Sequence, residues 1–284
     1  MSILTPIAPP KPQEELKVAP KARQVMIESI PVTDYPTREA LLQAIVDEAK
    51  RPGTSVCLGM NAHNANMAHK NLFLKKLYQR AEIVYCDGAG VILASKLLGD
   101  KIPVRYANGD WFFEMWDYFA AQNCTTYYLG SAPGIALKGL NMYEATRSKH
   151  TVLGVHHGYV LNDPELEAQV IAEINALKPD VLFVGFGCPL QEEWIAKHLH
   201  ELNVGLCYAI GASMDYVVGV KPRPPEWLGN IGGEWLFRLF CEPKRLYHRY
   251  LVGNPWFLGR VALSAVGQKL TGSIKAPLTP AARH

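Results

Sequence analysis

The sequence predicts an α/β protein: a largely parallel sheet with helices on both faces, followed by a basic, aromatic-rich helical appendage at the C-terminal end. Three observations predict it. Between Val25 and Gly219, short β-rich runs alternate with longer segments of helical period, the pattern of strands joined by helical crossovers. With 284 residues, 49% hydrophobic and 19% charged, the chain is long enough for one sizeable core. Finally, residues 221–284 hold ten Lys/Arg against three Asp/Glu, net +7, whereas residues 1–220 are net −4.

Residues 1–22 contain Pro6, Pro9, Pro10, Pro12 and Pro20 with almost no large apolar side chains, so a disordered Pro-rich leader is expected there. A core over 23–220 follows. Its strands are expected at 25–32, 54–59, 82–86, 125–130, 151–156, 180–186 and 204–210, each a β-branched or aromatic run. Its helices are expected near 37–50, 62–80, 89–98, 110–122, 134–148, 164–177 and 189–202. After Gly219 the alternation stops. Prolines hold 221–227 extended, and 232–258 reads as helices broken at Pro243 and Pro255. The appendage is placed at 221–260 and a frayed tail at 261–284. No internal repeat is present.

These features exclude several classes. No run of 18 uncharged apolar residues could span a bilayer, and the first residues lack the apolar stretch of an export signal, so a cytoplasmic location is expected. The six cysteines show no CxxC pair and several sit in apolar runs, as expected of reduced, buried thiols rather than a zinc site. The appendage gathers Trp227, Trp235, Phe237, Phe240, Tyr247, Tyr250, Trp256 and Phe257 among its basic residues. Basic plus aromatic points to an anionic, partly apolar partner, either lipid headgroups or nucleic acid. The appendage reads either as a helical lid packed on the core with its aromatics buried or, the reading preferred, as a membrane-associating segment whose Trp256-Phe257 pair beside Asn254-Pro255 meets anionic lipid.

Ligands of parallel sheets sit beyond the carboxyl ends of the strands, so the strand ends carry the candidate chemistry. Asp87, in Cys86-Asp87-Gly88-Ala89-Gly90, is either a general base or the N-cap of the next helix. Gly130, in Leu129-Gly130-Ser131-Ala132-Pro133-Gly134, opens a loop whose N–H groups could hold phosphate or ribose, or simply make a tight turn. Gly187 belongs to a Gly-x-Gly that lacks the third glycine of a dinucleotide fingerprint. Gln191, four residues on, could contact a base or sugar or be a solvated helix residue. Asn61 and Asn64 follow another strand. Arg105, near Asp110, suits anion recognition or a structural ion pair. His156 and His157 lack partners at metal-ligand spacing, and the chain has no Asp-x-Asp to clamp a divalent cation on a sugar-nucleotide.

In order, these pieces resemble the WecG/TagA/CpsF family of bacterial glycosyltransferases from about Ser29 to Leu258. The resemblance rests on Asp87-Gly88-Ala89-Gly90, Leu129 to Gly134, the run Pro179 to Glu192, and Glu234-Trp235-Leu236-Phe237-Arg238-Leu239 with Glu242-Pro243-Lys244-Arg245-Leu246 and Arg249-Tyr250. It implies a Rossmann-like core and an inverting, metal-independent transferase. The reaction would move a hexose or N-acetylhexosamine from a UDP-sugar to a sugar on a polyprenyl diphosphate, at the inner face of the cell membrane, with no cofactor. It lands the proposed base on Asp87, pocket residues on Asn61, Arg105 and Gln191, and diphosphate-binding arginines on Arg238, Arg245 and Arg249. Helix N-termini near Gly130 and Gly187 would add to the charge stabilisation. The chain departs from the family pattern at Gly59, where many relatives carry Thr, at Asn108, and at Leu190, where the usual residue is basic.

Two other readings compete: a nucleotide-sugar oxidoreductase or epimerase, opposed by the missing third glycine and the lack of a Tyr-x-x-x-Lys pair, and a non-catalytic membrane scaffold. Nucleic-acid binding is not expected, because the basic residues follow a broken amphipathic helix rather than a groove-reading motif. Oligomeric state leaves no signal in one chain.

Overall fold

The computed structural model describes residues 23–147, 151–223, 228 and 233–271. The expected leader, part of the proline-rich stretch after Lys221 and the last residues of the expected tail lie outside them. Among the described residues, eight strands form one sheet in the order β1-β2-β4-β3-β8-β7-β5-β6, parallel throughout except for β1 with β2.

That exception corrects the single strand expected at 25–32. Glu28 and Ser29 adopt φ of 49° and 67°, so the run folds into a hairpin of β1 (Arg23–Ile27) and β2 (Ile30–Asp34). Two central residues in the left-handed region give the turn twist that suits a two-residue hairpin. The chain then alternates: α1 (Arg38–Ala49), β3 (Ser55–Met60), α2 (Ala62–Lys70), α3 (Leu72–Arg80), β4 (Ile83–Cys86) and α4 (Ala89–Leu97). The single helix expected over 62–80 is two, because Asn71 leaves the helical region and its side chain accepts from Phe73 N (2.9 Å), capping the second.

A 3-10 turn at Asn108–Asp110 leads into α5 (Phe112–Ala121), then β5 (Thr126–Gly130), α6 (Ile135–Glu144), β6 (Val152–His156), α7 (Pro164–Leu177), β7 (Val181–Gly185), α8 (Leu190–His198), β8 (Leu206–Ala209) and α9 (Ser213–Val217). The central strands are buried on both faces, as parallel strands covered by helices must be. Their side chains divide by alternation: Val56, Leu58, Leu182 and Val184 enter one apolar layer, and Cys57, Val181, Phe183 and Tyr208 the other.

The appendage comprises α10 (Glu234–Cys241), α11 (Pro243–Tyr247), a π-helical turn (His248–Gly253) and α12 (Asn254–Thr271). Pro243 opens α11, where its missing N–H costs nothing. Pro255 breaks no helix; it lies in the first turn of α12, and the irregularity falls in the π turn before it. The boundary expected at residue 260 lies inside α12, which continues to Thr271. Phe257 does not face lipid either: it and Val261 are 0% and 1% exposed and complete the first apolar layer. Arg260 fastens α12 to the hairpin turn through Glu28, at 2.6 Å and 2.8 Å, and its guanidinium lies 3.7 Å from the centre of the Trp256 ring. No described helix is long and apolar enough to cross a membrane.

Candidate active site

The strand order reverses direction beside β3: the crossover from β3 leads to β4 on one side, while β7 and β8 approach from the other. Such a switch point opens a crevice at the carboxyl edge. The loops after β3, β4, β7 and β8 line it, and the appendage forms its outer wall.

Asp87 follows β4 directly. Its backbone N–H donates to the carbonyl of Met60 (2.9 Å), which draws the end of β4 against the end of β3. Close approach depends on Gly88, where a Cβ would come within 2.7 Å of Asn61 Cβ. Asn61 then serves two elements. Its Oδ1 accepts from the N–H groups of His63 and Asn64, both at 3.0 Å, capping α2, and its Nδ2 donates to Asp87 Oδ2 at 3.0 Å. Asp87 does not cap α4; Gly88 holds that position without a side-chain bond. Burial raises the Asp87 carboxyl to about 6, reinforced by Glu234 and opposed by the Asn61 hydrogen bond, Arg238 and Arg105. A carboxylate so poised suits general-base chemistry near neutrality.

Two adjoining clefts meet at this carboxylate, and Asn61, Asp87, Arg238 and Arg249 line both. The inner one, about 890 Å³ of open space, is bounded by Gly187, Gln191, Gly211 and Arg245. The outer one, about 640 Å³, is closed by Arg105, Glu234, Trp235 and Tyr250. Arg249 lines both clefts, whereas Arg245, four residues earlier, borders the inner one and is paired with Glu242 (2.8 Å). The Nε atoms of Arg238 and Arg249 are buried and have no hydrogen-bond partner. Arg238 also lies over the Tyr216 ring, 4.7 Å from its centre. Burial, with Arg249, Arg245 and Lys70 nearby, pulls His63 down to about 4, so it is neutral at physiological pH.

The structure thus brings Asn61, Asp87, Arg105, Arg238, Arg245, Arg249, Gly187 and Gln191 to one crevice. Gly130 stands apart. It is buried at the end of β5, where a Cβ would come within 2.7 Å of the Gly185 backbone, so its lack of a side chain serves strand packing. Gln191 is already engaged: its Oε1 accepts from Gly211 N (2.9 Å) and Gly187 N (3.2 Å), and its Nε2 donates to Glu192 (3.0 Å). It is a buried brace between the loops after β7 and β8, and it takes up the Gly187 N–H that an anion could have used. Arg105 pairs not with Asp110 but with Glu234 of α10, at 2.9 Å.

Glu234 and Tyr216 were missed in the sequence. The spacing of Glu234 and Arg238, four apart in one helix, was the available signal for the first; nothing local marks the second. Asn108 has a structural role that its neighbours in sequence do not suggest. Its amide donates to Tyr85 Oη (2.6 Å) and accepts from Tyr208 Oη (2.9 Å). The Tyr85 hydroxyl in turn fills the space beside Gly59, where a Cβ would meet it at 2.9 Å. Among the described residues, no group of three His, Cys, Asp or Glu could hold a metal ion.

A carboxylate at the carboxyl edge of a parallel sheet, faced by guanidinium groups, is the arrangement of a group-transfer enzyme. The family model for glycosyl transferases of the WecG/TagA/CpsF family matches residues 25–271, and the chain belongs to that family. It is a glycosyltransferase. Similar proteins include the N-acetylglucosaminyldiphosphoundecaprenol N-acetyl-beta-D-mannosaminyltransferases of Staphylococcus aureus strains NCTC 8325 / PS 47 and MRSA252. Each is 27% identical over 202 residues, covering 71% of this chain and 77% of the relative.

Proposed function

We propose that the protein transfers a hexose or N-acetylhexosamine from a UDP-sugar to a sugar carried on a polyprenyl diphosphate, with inversion and without a metal ion, in cell-surface or exopolysaccharide synthesis. One observation carries the reading: Asp87, held by Asn61, shares its cleft with Arg238 and Arg249 of the appendage. The relatives named above, whose acceptor is a sugar on a polyprenyl diphosphate, support the acceptor class.

In this mechanism Asp87 accepts the proton of the acceptor hydroxyl as its oxygen bonds to the anomeric carbon. The bond from that carbon to the UDP oxygen breaks on the opposite face, and UDP leaves with the electron pair. A single displacement inverts the configuration. Arg238 and Arg249, whose buried Nε–H groups have no protein partner, stabilise the charge that develops on the leaving diphosphate. Guanidinium groups thereby do the work a divalent cation does elsewhere.

The appendage also supports association with the cytoplasmic face of the membrane. Phe240, Leu251, Val252 and Leu263 are exposed on the basic segment, with Phe240 at 78%, and such surface suits an anionic bilayer. UDP release by the purified chain tests the reaction, with a panel of UDP-hexoses and a short-chain lipid diphosphate acceptor in EDTA. Acceptor-dependent release that Asp87→Asn abolishes is the expected result. Release equal in the variant, or absent with every donor, overturns the reading in favour of a scaffold.

A further inference from the structure

Glu234 lies at the start of α10 in the wall of the outer cleft, with its side chain 14% exposed. Each of its carboxylate oxygens meets a different guanidinium: Oε2 accepts from Arg105 NH1 at 2.9 Å, and Oε1 pairs with Arg238, one turn along the same helix. Arg105 belongs to the core and Arg238 to the appendage, so this carboxylate ties the two together across the cleft that holds Asp87.

We propose that Glu234 is a resident anion standing where the substrate's diphosphate binds, occupying the cradle between Arg105 and Arg238 until that diphosphate displaces it. The inference rests on the reading above that this cleft takes a diphosphate. A guanidinium presents the same planar fork of N–H donors to a carboxylate and to a phosphate, so the two anions compete for the same hydrogen bonds. Arg238 retains an unbonded buried Nε beyond its pairing with Glu234, as Arg249 does beside it, so the cradle holds more donors than one carboxylate satisfies. With the cleft empty, Glu234 offsets the mutual repulsion of these cations and keeps the appendage on the core. When a diphosphate takes over Arg105 and Arg238, Glu234 adds a repulsive charge that weakens binding and favours release of the leaving diphosphate. The tie is thus a brake on affinity that speeds product departure.

The test is calorimetric binding of inorganic pyrophosphate and of UDP to the full chain at low salt, comparing the native protein with Glu234→Gln and Glu234→Asp. Glu234→Gln keeps the shape and removes the competing charge, and about tenfold tighter binding is expected. Glu234→Asp keeps the charge but is too short to span both guanidiniums, so its affinity should fall between the other two. Equal or weaker binding by Glu234→Gln, with the native chain binding normally, overturns this inference and leaves the reading of the cleft intact. No binding of either probe by the native chain overturns both. Loss of folding in both variants makes Glu234 a permanent structural brace and also overturns it.

Discussion

Asn61 donates to the Asp87 carboxylate at 3.0 Å with the same side chain whose oxygen caps α2. The candidate base is thereby anchored to a helix N-terminus on the neighbouring strand, and substitutions can separate the two bonds. Asn61→Ala removes both. It should cost about 0.5–2 kcal/mol of stability for the cap, and it should move the acid limb of kcat/KM upward, because a bond favouring the charged carboxylate is lost. Asn61→Ser restores a capping oxygen but is too short to reach Asp87. Denaturant titration should show most of the stability recovered, while the pH profile stays shifted.

Asp87 itself should trade stability for activity. Its folded pKa of about 6 lies above the ordinary carboxylate range, so between those values the native state holds a proton that the unfolded chain has released. Stability therefore falls as pH rises through that window, and above it the charged side chain is destabilising. Asp87→Asn should raise stability at pH 8 by on the order of 1–2 kcal/mol, allowing for the partial exposure of the site. Thermal melts should show the gain vanishing below about pH 4, where both forms are neutral in both states. In the native enzyme, kcat/KM should rise with pH through about 6 as the base form appears.

The parallel core was legible because its signals are local. Apolar runs such as 181–185 and helices of regular period fix the order of elements, and polar residues at strand ends mark the edge where Asp87 and Asn61 meet. What the sequence hid depends on backbone conformation or on distant partners. Glu28-Ser29 reads as part of one strand because nothing in two ordinary residues announces left-handed φ. Phe257 reads as an interfacial aromatic because only the packed fold shows α12 lying on the core. Gly130 and Gln191 have the residue types of ligand contacts, yet their neighbours, Gly185 and the N–H groups of Gly187 and Gly211, are 20 or more residues away or brought in by a loop.

The role of Gln191 as a brace gives a third expectation. Gln191→Leu leaves the N–H groups of Gly187 and Gly211 without their acceptor in a buried position, at a cost of about 1–3 kcal/mol. Gln191→Glu keeps an acceptor but sets a second carboxylate beside buried Glu192, whose own pKa burial already raises. Its stability loss should be the larger of the two at pH 8 and should shrink on acidification as one of the pair takes up a proton. Urea unfolding at pH 5 and pH 8 checks the order.

Two phenylalanines of the appendage separate its attachment to the core from contact with a bilayer. Phe257 is fully buried among core side chains, and truncation to Ala should cost about 3–5 kcal/mol, because it removes a buried ring and leaves a cavity in the apolar layer where α12 packs on α2 and α4. Phe240, 78% exposed on α10, has little native packing to lose, so Phe240→Ser should leave stability within about 0.5 kcal/mol. If the appendage rests on lipid, that same change should lower binding to vesicles containing anionic phospholipid, since it removes apolar surface that the bilayer would cover. Flotation of both variants, each first checked for folding by thermal melting, gives the comparison. Undiminished vesicle binding by Phe240→Ser would place the lipid contact, if any, on a different face of the appendage, whereas a selective loss would locate it on the side of α10 that carries Phe240.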